Sequence, residues 1–208
     1  MSKQDPRIPD SQVNQALEDS IVTLDRSRAQ GLNELTALES AKYAVMQRDR
    51  ARLVAKFGED DPRVAALDEA VALHRERVTV YQAEILGATA TIPKVDDHSW
   101  AIHGHVLDAK LQPVEGITVA LFSGDTWERS LASACTDAKG HFQLGPKPVK
   151  EENSSLSLKA SQKEKVIYTD PAPVAVAAGR LEYRRVILND RNQASCDSPP
   201  DTKPRRTK

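Results

Sequence analysis

The chain has 208 residues, which is one domain or two small ones. Its 29 basic and 30 acidic residues leave a net charge of −1, which argues against a dedicated nucleic-acid binder. No apolar run approaches the roughly 18 residues of a membrane-spanning helix, and two cysteines cannot build a disulfide framework.

These averages hide a split. Residues 11–91 contain one proline, Pro62, and three glycines, whereas residues 92–208 contain nine prolines and six glycines. Such a change of punctuation marks two structural units. The expected organisation is a disordered N-terminus (1–10), a helical hairpin (11–87), a linker (88–97), a β unit (98–190) and a disordered tail (191–208). The first ten residues are polar and lack the apolar stretch of a secretory signal, so the expected location is cytoplasmic, with non-classical export as the other route.

Residues 11–86 are rich in Ala, Leu, Glu, Gln and Arg, which favour helix. Val13, Leu17, Ile21 and Leu24 recur at three- and four-residue steps on a first helix that ends near Phe57. Gly58 suits a left-handed residue after the helix, and Asp61-Pro62 is a restart signal: the Asp caps and the Pro needs no N–H. The second helix places Val64, Leu67, Val71, His74, Val78, Tyr81 and Ile85 at strict 3-4 spacing, the seam of a coiled coil. A short turn makes the two helices antiparallel neighbours.

The first helix would be about 70 Å long and the second about 37 Å. The overhanging stripe of Val13, Leu17, Ile21 and Leu24 therefore needs cover. A second copy of the chain is the favoured source. The β unit, or a fold-back at a break near Gly31, are the others.

From His98 the period becomes two. Trp100, Ile102, Gly104 and Val106 alternate with Ala101, His103, His105 and Leu107, which reads as a half-buried strand. Further short strands are expected around 117–123, 130–136, 141–144, 156–160, 166–168, 174–176 and 181–188. Seven or eight strands in about 90 residues suit a Greek-key sandwich.

Three stretches carry a resemblance. Ile102, Gly104, Val106 and Asp108 form the first. Pro113, Gly116, Ile117, Val119 and Leu121 form the second. Thr136, Asp137, Gly140 and Phe142 form the third. Together they resemble the carboxypeptidase regulatory-like family, with its G-x-V-x-D strand, P-V-x-G-V-x-V strand and T-D-x-x-G-x-F hairpin. The match is close over 100–145 and loose over 146–190. It implies a seven- to eight-stranded transthyretin-like (prealbumin-like) β-sandwich after the hairpin, an α+β chain, and a binding or spacer module. Among transthyretin-like proteins, 5-hydroxyisourate hydrolases end in Tyr-Arg-Gly-Ser; here Tyr183-Arg184-Arg185-Val186 departs from that motif, so the activity is not expected.

No nucleophile elbow, H-E-x-x-H, P-loop, G-x-G-x-x-G or C-x-x-C occurs. His103, His105 and His141 are the remaining candidates, as zinc or copper ligands or as catalytic groups, because neutral imidazoles two apart on a strand share a face. The plainer expectation is that all three are solvent-facing. His74 is expected to fix register in the seam. Cys135 is expected to be a buried free thiol and Cys196 an exposed one, with a disulfide between them as the alternative in an oxidising compartment. Trp127, an aromatic in a polar loop, is a candidate interface anchor or a core lid.

The sequence therefore reads as a non-enzymatic assembly or adaptor protein with no cofactor, no metal and no nucleic-acid partner. It would self-associate or dock through Val13, Leu17, Ile21 and Leu24, with Trp127 as a contact on the β unit. The alternatives are a metal-binding or enzymatic sandwich, and a component or cargo of a secretion or surface apparatus.

Overall fold

In a computed structural model, residues 10–123, 130–148, 155–163 and 165–189 are described. Trp127, Cys196, the first nine residues and the tail from residue 190 lie outside them. The chain divides into two compact units, residues 1–89 and 90–208.

The first unit is two helices, α1 (Asp10–Phe57) and α2 (Pro62–Ala88). α1 is continuous through Gly31, so no fold-back forms there and the described residues of this unit make two helices, not a three-helix bundle. Gly58 has φ +88°, and Asp61 caps α2 by accepting from the Arg63 backbone N–H, with Pro62 at the first helical position. The Arg63 side chain also donates to Asp61, and together these bonds hold its carboxyl down at about 2.

The α1 face toward α2 carries Ala29, Leu32, Thr36, Glu39, Tyr43 and Met46, all buried or half-buried. They pack against the α2 stripe of Val64, Val71 and His74. Arg50 ties the two helices near the turn, with Nε donating to Asp68 at 2.5 Å and Nη2 to Glu59 at 3.2 Å. Arg28 pairs with Glu84 at the far end of the hairpin. Arg52 pairs with Asp49 on the surface of α1 at 3.4 Å.

The second unit has eight strands among the described residues. They are β1 (Ser99–Asp108), β2 (Thr118–Ser123), β3 (Ser130–Cys135), β4 (His141–Pro148), β5 (Ser155–Gln162), β6 (Lys165–Thr169), β7 (Val174–Ala175) and β8 (Leu181–Leu188). One sheet has the order β4-β1-β8, with β1 antiparallel to β4 and parallel to β8. The other has the order β3-β2-β5-β6, with β7 also pairing to β5. Trp100, Ile102, Val106, Phe142, Leu144 and Val186 of the first sheet share one core with Val119, Leu121, Leu156 and Leu158 of the second and with Ile117 just before β2. The chain is thus α+β, a helical unit followed by a sandwich-like β unit.

The Thr-Asp-Gly turn has a structural task at each position. Thr136 Oγ1 donates to the Val114 carbonyl at 2.8 Å and accepts from the Ile117 N–H at 2.9 Å, both in the interior. Asp137 Oδ1 accepts from the N–H groups of Lys139 and His141. Gly140, at φ +70°, leaves no room for a Cβ, which would lie 2.5 Å from the Val106 carbonyl oxygen. At Gly104 a Cβ would fall 1.7 Å from the Arg184 carbonyl oxygen, so only glycine admits β8 this close.

Two expectations are corrected here. β1 is buried along its whole length and is not half-exposed, because β4 and β8 flank it on both sides. Cys135 is exposed and disulfide-bonded, not a buried free thiol.

Candidate functional site

Two places on the chain carry more than packing: the uncovered side of the hairpin, and the sheet face that holds three histidines.

Along the first, Val13, Leu17, Ile21 and Leu24 are all exposed; Leu17 is 57%, Ile21 52% and Leu24 69% exposed. The cause is length. α1 has 48 residues and α2 has 27, so α1 extends past its neighbour by about 30 Å. The Arg28–Glu84 pair lies one turn before the end of α2 at Ala88, so the part of α1 that precedes Leu24 has no helical neighbour among the described residues of its unit. The exposed apolar series continues with Leu35, Leu38 and Val45 on α1 and with Leu73 and Val80 on α2. Scattered exposed leucines are ordinary; a spaced row from Val13 to Val45 on one helix is a candidate contact face.

At the second place, His103 and His105 point away from the shared core, yet they are only 5% and 3% exposed. This overturns the expectation that they face solvent. β1 lies in the middle of its sheet, so each histidine has a neighbour on both sides. His105 stands opposite His141 on β4 and Arg185 on β8, while His103 stands opposite Gln143 and Tyr183. The His105 and His141 rings are 5.2 Å apart, those of His103 and His141 6.0 Å, and Tyr183 packs against His103 at 5.4 Å. The Tyr183 hydroxyl lies 3.1 Å from His105 Nδ1. His141 is half-buried.

Burial first, and then the His141 charge, push His105 down to about 4 and lower His103 in the same direction. Both are therefore neutral at pH 7. Nδ1 of His103 and Nε2 of His141 have no hydrogen-bond partner among the described residues. The rings meet edge-on or tilted, and among the described residues no group of three or more His, Cys, Asp or Glu side chains could hold a metal ion. The sequence met Tyr183 only in a stretch that departs from a hydrolase motif; the parallel pairing of β1 and β8 is what brings it beside the histidines.

No family model matches the chain, and no curated protein matches it. Solved structures do. The Bacillus anthracis TIE protein matches at 17% identity and TM-score 0.33, over 45% of this chain and 17% of that one. The major pilin subunit of Bacillus cereus matches at 16% identity and TM-score 0.31, over 43% and 28%. Chlorocatechol 1,2-dioxygenase from Pseudomonas putida matches at 11% identity and TM-score 0.31, over 74% and 99%. With each of these TM-scores below 0.5, the likenesses carry no argument about fold or activity. The chain spans only a minor part of the first and second of these proteins.

Proposed function

We propose that this chain is a non-enzymatic assembly protein, in which the helical hairpin associates with a second copy and the β unit is carried as a protein-binding module. The observation that supports this reading is the exposed apolar face of α1 between Val13 and Leu24, beyond the reach of α2 among the described residues of its unit. An isolated helix of about 18 residues is marginal in water, and its apolar stripe gains stability only by burial. The carboxypeptidase regulatory-like motifs of the β unit fit a module of this kind. Among the described residues, no helix is long and apolar enough to cross a membrane. The Cys135 disulfide favours an oxidising compartment over the cytoplasm.

Hydrogen exchange tests the reading. Amides of residues 10–27 should gain protection as protein concentration rises, while those of β1 should not change. Fast exchange in 10–27 at every concentration would remove it.

A second reading places a metal-binding or enzymatic site at His103, His105 and His141. The unpartnered nitrogens of His103 and His141 favour it, and the lack of converging ligands weighs against it. Metal analysis of untagged protein separates the two. Stoichiometric zinc or copper, lost in His103→Ala, would support the second reading, and metal-free protein would discard its metal-binding form.

A further inference from the structure

The uncovered side of the hairpin has a definite shape. On α1 the exposed residues Leu24, Arg28, Leu35, Leu38 and Val45 each precede by one position a residue that is buried or half-buried: Asp25, Ala29, Thr36, Glu39 and Met46. On α2 the exposed Leu73 and Val80 precede His74 and Tyr81 in the same way. A one-residue step back turns the side chain by about 100°. In two antiparallel right-handed helices that turn is toward the same side of the pair. The two exposed rows therefore flank one groove, the open side of a two-helix layer.

Two side-chain contacts fix the levels. Glu39 meets His74, and Arg28 meets Glu84. Val80 and Leu73 thus stand beside Leu35 and Leu38, and the groove is apolar at that height.

We infer that this groove is filled by residues 17–24 of a second copy, running antiparallel. This deepens the self-association reading and rests on it. The α1 row is Leu17, Ile21, Leu24, Arg28, Gly31, Leu35, Leu38, Lys42 and Val45, an unbroken 4-3 alternation. Set antiparallel against itself, one register opposes Ile21 to Leu38 and Leu24 to Leu35, twice each by symmetry. The same register sets Arg28 against Gly31, where the site of a Cβ has nothing within 4 Å, so the long side chain has room. It sets Leu17 against the methylene stem of Lys42. Shifting by one heptad opposes Leu24 to Lys42 and Leu38 to Arg28, which replaces two apolar pairings by the single one of Ile21 with Val45.

Charge agrees. Residues 10–27 hold four acidic residues and one basic residue, whereas Lys42 and Arg77, each three residues after a seam residue, border the groove. Contact over residues 17–42 of both copies runs about 38 Å. A stable interface needs ~1,200–2,000 Å² in total, and α2 widens the strip that α1 supplies. The overhang of each copy covers the groove of the other, and the contact closes on itself as a dimer.

Cysteine pairs test the register. In a Cys135→Ser, Cys196→Ser background, the doubly substituted Leu24→Cys, Leu35→Cys chain should give a covalent dimer with a short bis-maleimide. Neither single variant should. Val80→Asp should halve the mass in light scattering as Leu17→Asp does, with helicity by circular dichroism unchanged. If Leu24→Cys alone cross-links, or if Leu17→Asp dissociates the protein while Val80→Asp does not, the groove assignment is overturned and self-association stands. A wild-type monomer at all concentrations overturns both.

Discussion

Nδ1 of His74, on α2, meets Oε2 of Glu39, on α1, inside the seam of the hairpin. Glu39 also accepts from Lys42 Nζ at 3.1 Å and lies 4.0 Å from Arg77 Nη1. The His74 hydrogen bond first, and then Lys42, hold its carboxyl below the usual carboxylate range. An ionised carboxylate only accepts, so the proton of this bond sits on His74. A polar pair amid apolar seam residues fixes one register, because any slip of α2 leaves the buried His74 without its carboxylate and Glu39 with Lys42 of its own helix alone.

The pair should therefore behave as a unit. His74→Ala and Glu39→Ala each lower the melting temperature, and Glu39→Leu with His74→Leu recovers most of the loss. The sign with pH follows from the lowered carboxyl. Its contribution is present above the ordinary Glu value near 4.5 and fades as pH falls below it. Thermal melts at pH 7 and pH 3.5 check this, and equal single- and double-variant losses would contradict it.

Gly31 lies inside a continuous α1 with open space at its Cβ. Gly31→Ala should stabilise the hairpin by about 0.5–1 kcal/mol, the ordinary helix-interior difference. Urea denaturation of the purified variant measures it, and destabilisation would indicate a break at this position.

The β unit should be intolerant at Thr136 and Gly104. Thr136→Val removes the acceptor of a buried N–H and the donor to a buried carbonyl, at a cost of about 1–3 kcal/mol. Gly104→Ala forces β8 away from β1 and should cost about 3 kcal/mol or prevent folding of the unit. Denaturant midpoints compare the two, and Thr136→Ser should stay near wild type.

His103 and His105 should make the β unit acid-sensitive. His141 on β4, Tyr183 and Arg185 on β8, and Asp137 in the preceding turn are the ionisable groups around them. Only Asp137 favours the charged ring at His105. An unfolded histidine takes its proton near 6.5, while His105 takes it near 4 in the fold. The unfolded chain then binds more protons between these values, so stability rises with pH from about 4 to 6.5 and is flat above. For His105 the change is on the order of 3 kcal/mol. Denaturation at pH 4.5 and 7.5, compared with the His103→Asn, His105→Gln variant, isolates it; an unchanged pH slope would contradict it.

The helical unit was legible in the sequence because its period is local. Val64 through Ile85 repeat at heptad spacing, and Gly58 and Asp61-Pro62 mark the turn with residues whose backbone chemistry is specific. Glu39 was not legible. One acidic residue in a polar helix acquires meaning only when register sets it opposite His74. The strands were visible through alternation, but alternation names two faces without saying what covers either. His103 and His105 were read as outward and wet for that reason. The sheet order, which puts β1 between β4 and β8, depends on pairings distant in sequence, and Tyr183 lies 78 residues beyond His105. The overhang of α1 was readable from lengths alone. Gly31, which permitted a break, kept its place in one helix.

The central claim is that a second copy covers the apolar face of α1. Light scattering on the full chain across a concentration series measures it directly. The wild type should show twice the chain mass of 22.9 kDa, and Leu17→Asp should show the single mass with helicity retained. A wild-type mass of one chain at every concentration would contradict the account.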